Sequence, residues 1–310
     1  MPLSLIDTSR HIVLIAHIDP DADSLGSACA FYSHLIRTHK KVTLFCASEH
    51  IDPNLAFIPW FEKFTHRFPE DADCMISFDC GSYARLGVDR ALPLIVFDHH
   101  ESNNGYGTHT IFNTDAISTT EVVYEYFVAN GVKINGKIAT ALYAGLLDDS
   151  KCFRASECSA KTFAMAHALN ELGADHALCC EWLFRRRSLS SLRVRGFLLK
   201  QMTLLADGRL ALFEVPLSLS EESGASVAEC TSVLDEALEM RCVQISLMII
   251  ERPNGGIKLS LRSEGLINAA NMMTPLGGGG HAKRAGAVLR EENQNKRVKD
   301  LITMITKELV

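Results

Sequence analysis

At 310 residues, 47% hydrophobic and 22% charged, the chain can bury one large core or two ordinary ones, and it is too apolar for a disordered segment. Its 31 basic and 37 acidic residues leave a net charge of −6, which argues against a duplex nucleic-acid binder but not against a small anion held through bound cations. The ten cysteines contain no C-x-x-C pair, no apolar run reaches bilayer length, and no basic-then-apolar leader opens the chain, so a zinc ribbon and a membrane partner are not expected and a reducing cytoplasm is.

Four short apolar runs organise the first hundred residues: Ile12–Ala16, Val42–Ala47, Cys74–Phe78 and Pro93–Phe97. Each is too short for a helix and rich in Val, Ile, Leu or Phe, which predicts strands buried on both faces. Between the first two, Ser24–Thr38 spaces Leu25, Ala28, Phe31, Tyr32 and Leu35 along one helical face. A short fifth strand is expected at Thr110–Asn113. Helices are expected at Ser118–Asn130, Asn135–Asp148 and Ser159–Leu172, the last stopped by Gly173. The alternation predicts an α/β domain built on a parallel sheet with helices on both faces. Asp175–Lys200 reads as a further helix and a connector carrying Arg185, Arg186 and Arg187, expected as a solvated helix face, with Arg193 and Arg195 beyond. A second, smaller α/β pattern follows, with strands at Arg209–Val215, Cys242–Glu251 and Gly256–Arg262 and a hairpin turn at Pro253–Gly256. The expected organisation is a catalytic domain over 1–187, a linker over 188–203 and a second domain over 204–310.

The chemistry lies where the polar residues fall. The first strand runs into His17, Asp19, Asp21 and Asp23, the third into Asp79, and the fourth into Asp98, His99 and His100. Ligands of an open parallel sheet bind just beyond the carboxyl ends of its strands, so these groups are expected to share one crevice. A cluster of buried carboxylates repels itself unless a cation lies among them. Oxygen donors with a few imidazoles suit Mn²⁺, Fe²⁺ or Co²⁺. His17, Asp21 and Asp23 lie on one loop and can splay toward adjacent ions, with a carboxylate such as Asp79 bridging a pair. Gly26 and Ser27 are expected to open the following helix beside them, although Asp19 and Asp21 also fit as simple helix caps. Near the C-terminus, Gly277–Gly280 are costly to order but offer N–H groups to an anion, and His281, Lys283 and Arg284 follow at an expected helix start.

These residues resemble the DHH family of phosphoesterases along nearly the whole chain. His17-Ile18-Asp19-Pro20-Asp21-Ala22-Asp23 is similar to the family's first motif, Phe78-Asp79-Cys80-Gly81 to the second, Asp98-His99-His100 to the third, and Gly145–Ser150 to the fourth. Gly277–His281 resembles the signature of the DHHA1 accessory domain. The resemblance implies two divalent metals, Mn²⁺ before Mg²⁺, Co²⁺ or Fe²⁺. His17, Asp21 and Asp79 would hold one, and Asp23, Asp79, His99 and Asp149 the other. Asp148 is a rival ligand on sequence alone; register with the motif favours Asp149. His100 would contact the substrate phosphate and Asp98 would orient an imidazole. Arg262, Gly278, Gly279, Gly280 and His281 would bind the substrate's far end as the second domain closes over the crevice. Lys151 stands where relatives often have glycine. The implied activity is hydrolysis of phosphate esters of small nucleotides: short RNA oligonucleotides, linear dinucleotides and 3′-phosphoadenosine 5′-phosphate. Cyclic dinucleotides, inorganic pyrophosphate and a non-catalytic nucleotide-binding role are the alternatives, and a monomer or homodimer is expected.

Overall fold

The computed structural model describes residues 2–224, 227–253, 255–265, 267–280, 282–290 and 292–309. The chain divides into two compact units, Met1–Arg186 and Arg187–Val310. Residues 188–203, expected as a linker, fall within the second unit and contain its first helix, Leu189–Gln201.

The first unit opens with helix α1 (Pro2–Thr8) and strand β1 (His11–Ala16), followed by α2 (Ala22–Leu35) and β2 (Lys41–Cys46). Strands β3 (Phe64–Thr65), β4 (Cys74–Phe78), β5 (Leu94–Asp98) and β6 (His109–Phe112) complete a six-stranded sheet ordered β3-β2-β1-β4-β5-β6, every pairing parallel. Helices α3 (Thr119–Ala129), α4 (Gly136–Asp149), α5 (Ala160–Glu171) and α6 (His176–Cys180) follow. Strand residues alternate between two cores. Ile12, Leu14 and Ala16 pack against α2, α3 and α4, with Phe31, Phe78, Phe97 and Phe127 at their centre. Val13, Ile15, Met75 and Val96 face a thinner layer that includes Leu86, Tyr83 and Tyr106. Connections run to β2 on one side of β1 and to β4 on the other, so the strand order reverses between β1 and β4. That reversal is where open α/β sheets bind ligands.

Helix α2 begins at Ala22, four residues before the expected opening at Gly26. Asp21 is its N-cap, accepting the Ser24 N–H at 3.0 Å. Gly26 and Gly145 instead let α2 and α4 cross closely. A Cβ on Gly26 would lie 2.3 Å from the Ala141 carbonyl, and one on Gly145 would lie 2.6 Å from an Asp23 carboxylate oxygen and 2.8 Å from Asp23 Cα. Gly145→Ala should therefore force the helices apart, destabilising the unit by about 1–3 kcal/mol in urea denaturation and displacing Asp23.

In the second unit α7 (Leu189–Gln201) leads into β7 (Thr203–Leu205), β8 (Leu210–Val215), α8 (Leu217–Ser223) and α9 (Val227–Leu238). Then come β9 (Ile245–Glu251), β10 (Ile257–Ser263), α10 (Ala269–Met273), β11 (Gly279–Gly280), β12 (Arg284–Leu289) and α11 (Gln294–Leu309). The mixed sheet is ordered β11-β12-β10-β9-β8-β7, with only β8–β9 parallel. One face packs on α7 and α9 through Val194, Leu198, Val233 and Leu234. The other packs on α10 and α11 through Met273, Leu301 and Ile305. The expected helix start at Arg284 is corrected: Arg284–Leu289 alternates exposed and buried side chains and pairs with β10, the period of a strand. Among the described residues, no helix is long and apolar enough to cross a membrane.

Candidate active site

Register sets the site. Ala16 pairs with Phe78 and Phe78 with Phe97, so the residues that follow, His17, Asp79 and Asp98, stand side by side at the carboxyl ends of β1, β4 and β5, beside the point of strand-order reversal. Asp79 leaves its strand in the left-handed region, φ 57°, a conformation aspartate tolerates better than most residues. Ser24 ties the tips together: its hydroxyl accepts the His17 N–H at 3.3 Å and donates to the Phe78 carbonyl at 3.2 Å.

The Asp79 carboxylate faces two imidazoles with its two oxygens. Oδ2 lies 3.4 Å from His17 Nε2 and Oδ1 lies 3.5 Å from His99 Nε2. The far ring nitrogens face backbone carbonyls, His17 Nδ1 at 2.8 Å from Ile18 O and His99 Nδ1 at 3.1 Å from Ala116 O. A proton on each Nδ1 leaves both Nε2 lone pairs turned inward, the arrangement of imidazoles that hold a metal. Asp21 approaches His17 Nε2 at 3.9 Å, and Asp149, the last residue of α4, approaches His99 Nε2 at 3.6 Å. Three groups of side chains have donor atoms close enough together to share an ion: His17, Asp21 and Asp79; Asp23, His99 and Asp149; and Asp79, His99 and His100. Four carboxylates and two inward imidazoles make a donor set that fits divalent cations of the oxygen-preferring kind.

His100 is turned differently. Its Nδ1 contacts the buried Asp98 carboxylate at 2.7 Å, nearer than Asp79 at 3.4 Å. Asp98 also accepts the backbone N–H of His99 at 2.9 Å and the Asn103 side-chain amide at 2.6 Å. The bond to Asp98 commits His100 Nδ1 as a donor.

Asp23 is fully buried, and its carboxylate accepts the N–H groups of Thr119 and Thr120 at 2.6 and 2.8 Å, at the start of α3. The Thr119 hydroxyl donates to Asp79 at 3.1 Å. Sequence reasoning misses both roles, although Ser118-x-x-Glu121 before an apolar run marks that helix start. It also misses Asn103 and Arg85, whose Nη2 lies 3.0 Å from His17 Nδ1. Asp19 lies apart, exposed, with its N–H on Ser48 Oγ at 2.7 Å. Asp148 turns to Lys151, whose ammonium lies 3.8 Å from its carboxylate. After Asp149 and the right-handed Ser150, Lys151, Cys152 and Phe153 have φ of 51°, 57° and 62°, a left-handed run without glycine.

In the second unit, Arg262 and Arg284 pair across β10 and β12 and share Asp235, at 3.7 and 3.2 Å. Gly279 and Gly280 form a short strand against β12, and Gly278 lies within reach of Gly286. His281 lies outside the described residues.

The electrostatics are those of a site short of positive charge. Burial, reinforced by Asp79, pushes Asp23 up to about 7. Burial together with neighbouring carboxylates raises Asp21 and lifts Asp149 well above the usual range. Burial would raise Asp79 too, but contacts with His17 and His99 hold it well below the usual range. Against the opposing effect of burial, Asp79 raises His17 and lifts His99 to about 10, while Asp98 raises His100.

Residues 11–146 match the DHH family, N-terminal domain, and residues 210–308 match the DHHA1 domain. The chain belongs to the DHH/DHHA1 family. This DHH/DHHA1 chain is 25% identical to the bifunctional oligoribonuclease and PAP phosphatase NrnA of Bacillus subtilis, over 99% of the chain and 97% of that protein. It is 27% identical to the protein of the same name from Thermus thermophilus, over 96% of the chain and 90% of that protein. An exopolyphosphatase-related protein from Bacteroides fragilis has the same fold, with TM-score 0.90 and 21% identity, over 99% of this chain and 96% of that one.

Proposed function

We propose that this DHH/DHHA1 chain is a two-metal phosphoesterase that hydrolyses phosphate esters of small nucleotides. Its substrates would be short RNA oligonucleotides, linear dinucleotides and 3′-phosphoadenosine 5′-phosphate. The observation that carries the reading is the Asp79 carboxylate, whose oxygens face two different imidazoles at 3.4 and 3.5 Å, the arrangement of a bridge between adjacent cations. The relatives named for oligoribonuclease and PAP phosphatase activity support the substrate class.

In this reading His17, Asp21 and Asp79 hold one divalent cation and Asp23, Asp79, His99 and Asp149 the other, with Mn²⁺ the favoured ion. Bound there, the pair would lower the pKa of an attacking water and offset the charge that builds on the non-bridging phosphate oxygens. The chain's own residues do the rest. The Thr119 hydroxyl and the Thr119 and Thr120 amides fix Asp79 and Asp23, so the donors are arranged before substrate arrives. Asp98 fixes the His100 ring, which would contact the substrate phosphate. Arg262, Gly278, Gly279, Gly280 and His281 are proposed for the nucleoside end, in a cytoplasmic protein.

A substrate panel with Mn²⁺ tests this. It holds RNAs of two to five nucleotides, 3′-phosphoadenosine 5′-phosphate, linear and cyclic diadenylate, and pyrophosphate. Turnover of the short RNAs and the bisphosphate is expected. Cleavage of pyrophosphate alone would make the chain a pyrophosphatase, and nucleotide binding without any cleavage would make it a binding module.

A further inference from the structure

Beside the carboxylate cluster stands a cation with no role so far. Beyond Asp79 the chain runs into a 3₁₀ turn, Tyr83–Leu86, anchored by buried Leu86. Gly87 follows with φ 67°, and a Cβ there would lie 2.3 Å from that of Ala47 and 3.2 Å from the Ile18 side chain. The Arg85 carbonyl accepts the Ile18 N–H at 2.8 Å. The turn is thus docked on the loop between β1 and α2, and it presents the exposed Arg85 guanidinium to His17 Nδ1 at 3.0 Å. Among the described residues, no carboxylate lies within ion-pair distance of Arg85.

The two contacts of His17 Nδ1 exclude one another. Toward the Ile18 carbonyl, at 2.8 Å, Nδ1 must carry a hydrogen. Toward Arg85, which has only donors, Nδ1 must offer a lone pair, and the ring's hydrogen then sits on Nε2. Nε2 is the nitrogen that faces Asp79. The tautomer able to hold a cation through Nε2 therefore has nothing to offer Arg85. In that state the exposed guanidinium gives up its contact with His17 and stands beside the cluster, separated from it by the width of one imidazole. A phosphate oxygen is the acceptor whose geometry and charge a guanidinium fork matches.

We propose that Arg85 is a substrate-binding residue, giving up His17 in the cation-holding tautomer and gripping a non-bridging phosphate oxygen of the nucleotide. The proposal rests on the phosphoesterase reading for its ligand but not for the antagonism between Arg85 and the cation.

The test uses the full chain with Arg85→Gln, and Arg85→Lys as the variant that keeps charge without the fork. In calorimetric titration of the metal-free protein, Arg85→Gln should bind Mn²⁺ roughly two- to tenfold more tightly, because the competing contact with His17 is gone. On 3′-phosphoadenosine 5′-phosphate with saturating Mn²⁺, the same variant should raise KM roughly ten- to a hundredfold with a much smaller change in kcat, and Arg85→Lys should fall between. Unchanged or weaker Mn²⁺ binding in Arg85→Gln overturns the proposal, as does an unchanged KM. If the wild-type chain cleaves nothing, the phosphoesterase reading falls. Binding of the uncleaved bisphosphate to the Mn²⁺-loaded wild type and Arg85→Gln then judges the phosphate contact alone.

Discussion

Replacing Asp79 with alanine should lower kcat by at least about a thousandfold on every phosphate ester the wild-type chain cleaves, since even one preorganised electrostatic group is commonly worth 10²–10³. Asp79 is the carboxylate common to both imidazoles, so its loss unmakes both cation positions at once. Alanine brings a second effect. Asp79 has φ 57°, where alanine is strained by about 1–2 kcal/mol. Asp79→Asn separates the two effects, because asparagine tolerates that backbone and keeps the side chain's shape and its contact with Thr119. Both variants should lose turnover, and Asp79→Asn should keep wild-type circular dichroism. An Asp79→Asn enzyme within tenfold of wild type at saturating Mn²⁺ would remove Asp79 from the centre of the mechanism.

The parts of this molecule legible in the sequence are those set by local pattern. The first-unit strands are short apolar runs, and their ends carry the polar residues of the site, so the strand-tip cluster of His17, Asp79, Asp98, His99 and His100 follows from periodicity and the strand-end rule. Asp149 does not follow in this way. It closes a helix, nothing local distinguishes it from Asp148, and only the fourth motif's register picks it out. The structural difference between the two is tertiary: Asp148 is turned toward Lys151 while Asp149 turns toward His99. Arg85 and Thr119 are illegible for a similar reason. Arg85 is one of many surface cations until the docked turn sets it against His17, and Thr119 meets Asp79 across 40 residues of chain. The short strands β3, β7 and β11 carry no pattern of their own and exist because a neighbouring strand offers an edge. Strand β12 is missed because its glycine and alanines weaken the alternating signal.

The metal-free protein should lose stability as pH rises through neutrality, and divalent cations should restore more of it at the alkaline end. Burial and Asp79 raise Asp23 from 3.8 to about 7, so between those values the folded chain keeps a proton that the unfolded chain has released. Stability falls with pH wherever the folded state binds more protons, so it falls across that window. His99, despite the opposing effect of burial, is raised by Asp79 from 6.5 to about 10. Its contribution is fully present below 6.5 and is lost as pH rises toward 10, which extends the same slope. Asp79 is depressed and acts in the opposite sense, but its contribution is lost only in acid, below the ordinary carboxylate value of 3.8. Cation binding runs against the slope. Ligands must shed their protons to coordinate, so affinity grows over the pH range in which the empty site weakens the fold. At a hundredfold excess over Kd, binding adds about 2.7 kcal/mol, which at roughly 2–4 °C per kcal/mol raises Tm by roughly 5–11 °C. Scanning calorimetry in chelator and in Mn²⁺ at pH 6, 7 and 8 measures both trends. The Mn²⁺ increment should be largest at pH 8, and Asp23→Asn should flatten the chelator slope between pH 6 and 7 and shrink the increment. A Tm in chelator that does not fall with pH, or an increment larger at pH 6 than at pH 8, would mean that these carboxylates and imidazoles do not share protons and cations in this way.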